Sequence, residues 1–329
     1  MVLYIFIFVV SFFILASSSK WLVDILSRVA KFLGWKEFVV SFFIVAFATT
    51  IPNFFVDIIS ALNKVPHLAF GDVVGTNIAE LTLIVALSAL ISKAGLSVPS
   101  RTVQGSSLFT IGVAILPLVL ILDGNLSRVD GILLLVAFLI YLVWLFNKRE
   151  RFEKIYNGIP EPLSLKFFIK NTLFLFCSIL LLLLSAQQIV KSAIFFSDSL
   201  HLPLSLIGIL VVGLGTALPE LSFTFQAAKK SQDWFIVGDV MGSVIMTATL
   251  VLGIVALICP IEISDFSPFA IGRIFLVISA LFFLIFIRTG HKITRKEALF
   301  LLGIYILFVL VEILTKQSEN TSRAINLCL

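Results

Sequence analysis

The chain reads as long apolar runs separated by short polar clusters. Ten runs stand out, at 2–19, 38–62, 73–92, 102–122, 131–147, 171–190, 202–228, 240–261, 269–287 and 298–315. Each lies near the ~20 residues that carry a helix, at ~1.5 Å of rise per residue, across ~30 Å of hydrocarbon. The ninth is the weakest, because Arg273 sits near its start. The pattern predicts an all-α integral membrane protein with ten transmembrane helices and the lipid bilayer as its main partner.

Composition and charge sharpen this. Of 329 residues, 60% are hydrophobic and only 13% charged, with a mean hydropathy of +1.13. A soluble domain carries about 25% charged residues, so this chain cannot cover itself with a hydrated surface. The first run has no basic residue ahead of it, so it reads as a mature helix and not as a cleaved signal, despite Ala16-Ser17-Ser18-Ser19. Cys177, Cys259 and Cys328 are too few and scattered for a disulfide framework or a metal cluster. Basic residues gather in alternate connections: Arg28, Lys31 and Lys36; Lys93 and Arg101; Lys148 to Lys170; Lys229 and Lys230; Arg288 to Lys296. The opposite side holds only Lys64, Arg128, Arg273, Lys316 and Arg323. A cytoplasmic excess of Lys and Arg then places both termini outside the cytoplasm, in a cell membrane. The net charge of +5 follows from this loop bias and calls for no nucleic acid.

One phrase occurs twice. GDVVGT at 71–76 returns as GDVMGS at 238–243, an offset of 238 − 71 = 167. At the same offset Thr49-Thr50-Ile51-Pro52 meets Thr216-Ala217-Leu218-Pro219, and Thr82-Leu83 meets Thr249-Leu250. The chain divides into a first five-helix repeat at 1–147, a cytoplasmic linker at 148–170, a second repeat at 171–315 and a short tail at 316–329. Five is odd, so the second copy enters the membrane from the opposite side. Inverted repeats of this kind are a recurring plan of secondary transporters, whose sites lie where interrupted helices meet.

Each repeat carries a proline inside its second helix, Pro52 or Pro219, which lacks the N–H that the preceding turn needs. Such breaks survive in hydrocarbon only where protein, water or ions satisfy the freed groups. Beside the breaks stand Thr49 and Thr216, and after the prolines come Asn53 and Glu220. In the two repeated phrases the glycines read as a face for close helix packing, and Asp72 and Asp239 read as caps near a helix start. Glu80 and Glu220 are different. Both lie well inside apolar runs with no Lys or Arg deep in the central helices, and a carboxylate near the bilayer centre costs at least ~2.5 kcal/mol. They read as ion ligands. Glu312, close to Lys316, reads as interfacial, and His67, His201 and His291 as loop histidines without ligand partners at recognisable spacing.

These motifs resemble those of the sodium/calcium exchanger branch of the cation/calcium antiporters. GLGTALPEL at 213–221 with GDVMGS at 238–243 matches the second signature of that family, about 206–259. AFATTIPN at 46–53 with GDVVGTN at 71–77 matches the first more loosely, about 39–92. The resemblance implies a calcium-type site between the repeats and exchange against sodium or protons by alternating access. Inorganic cations are the expected ligands, with no cofactor and no obligatory protein partner; an intramembrane enzyme is disfavoured because the sequence has no metalloprotease-type His-Glu motif and no nucleophile with a base at recognisable spacing. The family pattern has a glutamate after the proline in both repeats and Asn or Asp further on. Here the first position is Asn53 and, 80 − 53 = 27 later, comes Glu80; in the second repeat Glu220 is kept and, 247 − 220 = 27 later, comes Thr247. The hydroxyl positions Thr49, Thr216, Thr76 and Ser243 are kept in type.

Calcium takes roughly six to eight oxygens. Glu80 and Glu220 offer up to four and Asn53 another, with backbone carbonyls near Ala48 and Gly215 in reach. Asp57, four residues after Asn53 and therefore on the same helix face, either adds a third carboxylate or reaches headgroup water near the helix end. Close like charges do not both ionise easily, so protons gain weight as the driving ion. Two other readings stay open: a monovalent-cation transporter on the same fold, and a membrane receptor or assembly protein with a degenerate site.

Overall fold

The computed structural model describes residues 1–32, 44–92, 95–97, 101–147, 165–229, 233–263 and 267–328. The linker expected at 148–170 lies outside these residues as far as 164. The helices are α1 Val2–Phe32, α2 Ile44–Leu62, α3 Pro66–Ile91, α4 Arg101–Leu120 and α5 Arg128–Asn147. They are followed by α6 Leu165–Leu200, α7 Leu204–Lys229, α8 Asp233–Ile258, α9 Ser267–Arg288 and α10 Arg295–Cys328. Among the described residues, nine contain apolar spans long enough to cross a membrane, and α2 contributes the shorter Thr49–Leu62. The stretch expected as a tail continues α10.

The outer surface is apolar and the interior carries the polar groups, as expected where lipid is the solvent. On α5 the residues Ile132, Val136, Leu139 and Val143 face outward, and on α10 so do Leu299, Ile306 and Leu310. Thr49, Asn53, Asp57, Asp72, Thr76, Glu80, Glu220, Asp239 and Ser243 are all buried. The central helices are α3 and α8, each with 78% of its span buried, whereas α5 and the span Arg295–Thr315 of α10 have 28%.

The 167-residue offset governs the packing. Helix α5 starts at Arg128 and α10 at Arg295, and 295 − 128 = 167. Both starts are closed by the same capping box: Ser127 with Asp130, its twin Thr294 with Glu297. Two short antiparallel pairs tie the repeats together. Strand β1 (Leu96–Ser97) pairs with β4 (Lys292–Ile293), and β2 (Asn125–Leu126) pairs with β3 (Ile261–Glu262). Helices α1 and α6 pack on each other where the halves meet, with Tyr4 stacked on Phe195 and Phe8 edge-on to Phe196.

Close approach at the centre depends on glycine. A Cβ on Gly71 or Gly75 of α3 would run into the backbone of Ser205 or Ile209 on α7, and one on Gly208 or Gly213 would run into α3. The packing role expected for the first phrase is therefore present, with α7 as its partner.

The two proline sites behave differently. Helix α7 is interrupted at Ala217, between segments Gly213–Thr216 and Leu218–Lys229. Helix α2 runs through Pro52 without interruption. There the proline removes one backbone donor but leaves helical geometry intact. Both central helices contain a wider π turn, Glu80–Ile84 in α3 and Met246–Val251 in α8. In each a threonine hydroxyl, Thr82 or Thr249, donates to the carbonyl four residues back, Ile78 or Ile245. This back-bonding competes with the regular ladder and marks the same place in both repeats.

Candidate functional site

Helical spacing puts Asp72, Thr76 and Glu80 on one face of α3, each a turn apart, and Asp239, Ser243 and Thr247 on the matching face of α8. Across from them α2 presents Thr49, Thr50, Asn53 and Asp57, and α7 presents Thr216 and Glu220. The two faces meet through a hydrogen bond made twice. The Thr49 hydroxyl of α2 donates to Asp239 Oδ1 on α8 at 3.0 Å, and the Thr216 hydroxyl of α7 donates to Asp72 Oδ1 on α3 at 2.8 Å. Thr49 and Thr216 are twins at the 167 offset, as are Asp239 and Asp72. The contact crosses between repeats both times.

Asp72 and Asp239 are therefore not caps, contrary to expectation. Asp72 lies in the second turn of its helix, fully buried, and also accepts from Thr76 at 3.2 Å; the helix start at Val65 has no side-chain cap. Helix α3 begins at Pro66, earlier than the apolar run suggested, and that shifts Asp72 inward.

Around Asp72 the first-repeat groups form a closed network. Asn53 Nδ2 donates to Thr76 Oγ1 at 3.1 Å and to Thr216 Oγ1 at 3.2 Å, and the Thr76 hydroxyl reaches the Gly213 carbonyl at 3.0 Å. Asp57 faces the Asp72 carboxyl and is fully buried, which rules out headgroup water. Glu312 is likewise buried within the protein. His67 lies in the first turn of α3, partly buried, and not in a loop.

The second network centres on Ser243. Its hydroxyl lies 2.6 Å from Glu80 Oε1 and 3.3 Å from Glu220 Oε1, and it accepts from Thr50 at 3.1 Å. A serine hydroxyl has one hydrogen to give, so it satisfies one of the two carboxylates. Thr247 stands apart from the pair and donates to Asn77 Oδ1 at 2.7 Å. The structure brings Glu80, Glu220, Ser243, Thr76, Thr216, Thr49, Asn53 and also Asp57, which the sequence left open, into one buried seam, together with Thr50, Asn77, Asp72 and Asp239, which the sequence reading did not include. The four-residue spacing 72–76–80, repeated as 239–243–247, was the available signal for the two aspartates.

Several oxygens in this seam have no hydrogen-bond partner: Glu80 Oε2, Glu220 Oε2, Asp239 Oδ2, Asp72 Oδ2, both of Asp57, and Asn53 Oδ1. No Lys, Arg or His is among the buried polar residues described. Among the described residues the acids do not gather in a group of three or more able to chelate one ion. They stand as pairs, with hydroxyls and amides between.

The comparisons with known proteins repeat the internal symmetry. The model of the sodium/calcium exchanger protein family matches residues 3–147 and again 170–314, and both 170 − 3 and 314 − 147 equal 167. The chain belongs to the sodium/calcium exchanger family. It is 29% identical to the sodium/calcium exchanger MaX1 of Methanosarcina acetivorans, over 90% of this chain and 95% of that one. It is 26% identical to the inner membrane protein YrbG of Escherichia coli, over 92% of this chain and 94% of that one. Among solved structures it is similar to the sodium-calcium exchanger NCX_Mj soaked with Na+ and Sr2+, with a TM-score of 0.65 and 26% identity, over 94% of this chain and 98% of that one. Like other members of the family, the chain is an ion-transporting membrane antiporter.

Proposed function

We propose that the protein exchanges calcium, or a related cation, for sodium or protons by alternating access, with Glu80 and Glu220 as its principal ligands. The observation that carries this reading is the convergence of these two carboxylates, one from each repeat, on the single hydroxyl of Ser243 at 2.6 and 3.3 Å. Two carboxylates cancel the charge of a divalent ion, so the loaded site is neutral in a dry place. They supply up to four of the roughly six to eight oxygens calcium takes. Ser243 and Thr50 stand close enough to add hydroxyls, while Thr49, Thr76, Thr216, Asn53 and Thr247 line the neighbouring seam.

The geometry also suits coupling. Glu80 sits on α3 and Glu220 on α7, and the repeats touch through the paired threonine–aspartate contacts. Rocking one repeat against the other, the usual motion of inverted-repeat transporters, changes access to a site that both halves build. The exported and the driving cation compete for the same carboxylates, and that competition links their movements. The loop bias in Lys and Arg supports a membrane orientation with both termini outside the cytoplasm.

The test is flux in proteoliposomes. Vesicles loaded with sodium, or with acid, are given calcium outside and uptake is followed. Gradient-driven uptake with one of the two internal loads is the expected result and identifies the driving ion. Uptake with neither load would overturn the calcium reading.

A further inference from the structure

Asp57 has no counterpart in the second repeat. Its twin, 57 + 167, is Thr224, whose hydroxyl folds back onto the Glu220 carbonyl of its own helix at 2.9 Å. Asp57 is thus an added buried acid, and it faces a second buried acid, Asp72. Neither oxygen of Asp57 has a hydrogen-bond partner, and Asp72 Oδ2 and Asn53 Oδ1 also have none. Four unpartnered oxygens from three fully buried side chains therefore sit together on α2 and α3. Burial of this kind is expensive unless something positive compensates it. The surrounding donors are already committed: Thr216 donates to Asp72 Oδ1, the single hydrogen of Thr76 goes either to Asp72 Oδ1 or to the Gly213 carbonyl, and Asn53 Nδ2 is held by the two threonines.

We propose that Asp57, Asp72 and the Asn53 side-chain oxygen form a second cation seat, separate from the Glu80–Glu220 pair, that takes sodium. The choice of ion follows from charge. Asp72 Oδ1 is already balanced in part by a threonine hydroxyl, so the aspartate seat asks for less positive charge than the glutamate pair, whose two carboxylates share the single hydrogen of Ser243. The aspartate pair, completed by a neutral amide, holds the monovalent one. The seats are neighbours on one helix face, since Asp72 and Glu80 are two turns apart on α3, and an ion in one repels an ion in the other. This assignment rests on the exchanger reading and names the seat of its driving ion.

Equilibrium binding of radioactive sodium and calcium to the purified protein in lipid nanodiscs tests it. Asp57→Asn removes the charge, and Asp57→Thr installs the residue of the second repeat; the second variant carries the test if the first does not fold. The expected result is a loss of sodium affinity of tenfold or more in both, exceeding any loss of calcium affinity, and the reverse order in Glu220→Gln. Sodium binding equal to that of the unaltered protein in both Asp57 variants overturns the proposal. So does an equal loss of both ions, which would mean one merged site. An unaltered protein that binds calcium but no sodium also overturns it and leaves the aspartate pair to share a proton. An unaltered protein that binds sodium through Asp57 but no calcium upholds this seat and removes the calcium reading instead.

Discussion

Glu220→Gln is the most direct probe of the proposed transport site. The substitution keeps the size of the side chain and removes its charge. Glu220 is fully buried, its Oε1 lies 3.3 Å from the Ser243 hydroxyl, and its Oε2 has no hydrogen-bond partner. No Lys, Arg or His is among the buried polar residues described, so under the proposed function the transported cation is the group that balances it. Removing one partner of a buried ion pair costs about 3–5 kcal/mol, and each 1.4 kcal/mol is about tenfold in affinity. Calcium half-saturation in Glu220→Gln should therefore rise roughly 150-fold or more. The helix itself has no reason to fail, because the Thr224 hydroxyl bonds the Glu220 backbone carbonyl and not the side chain. The assay is the calcium dependence of uptake into sodium-loaded proteoliposomes, with gel filtration to show that the variant is folded. A half-saturation within threefold of the unaltered protein would refute the placement of the cation at Glu220.

Other outcomes follow from the same geometry. Thr49→Val and Thr216→Val each remove one hydroxyl donor to a buried carboxylate, at 3.0 and 2.8 Å; each should lose about 1.5–3 kcal/mol of stability, seen as similar drops in Tm, and a drop in only one would show that the two contacts are not equivalent. Gly75→Ala puts a methyl group into the Ile209 backbone and should cost about 1–3 kcal/mol or more, read as loss of the monodisperse peak on gel filtration, whereas Gly112→Ala, with open space around it, should behave as the unaltered protein. Ser127→Ala and Thr294→Ala open the twin capping boxes at the starts of α5 and α10 and should each lower stability by about 1 kcal/mol in thermal denaturation.

Much of the candidate site was legible because its residues break the rules of their surroundings. A glutamate inside an apolar run has few explanations in hydrocarbon, so Glu80 and Glu220 stood out from composition alone. Asp72 and Asp239 did not, because glycine-aspartate at the edge of an apolar run also fits a capped helix start. Only the observed start of α3 at Pro66, ahead of the apolar run, turns Asp72 from an end residue into an interior one. Asp57 was open between headgroup water and the site for a related reason: depth along a helix depends on tilt and neighbours, which local sequence does not encode.

The sequence by itself determined the class, the repeat and the offset, because these rest on periodicities and identities that survive without coordinates. Length and hydrophobicity decide what can cross a membrane, and the aligned Pro, Gly and Asp residues decide how the halves correspond. Which side chains meet was decided only by the tertiary structure. The cross-repeat pairs Thr49–Asp239 and Thr216–Asp72 join residues 190 and 144 positions apart, and Ser243 is shared by Glu80 and Glu220 because α7 packs on glycines of α3. Distances of that kind are set by helix packing, and the pattern along a single helix carries no record of its neighbours.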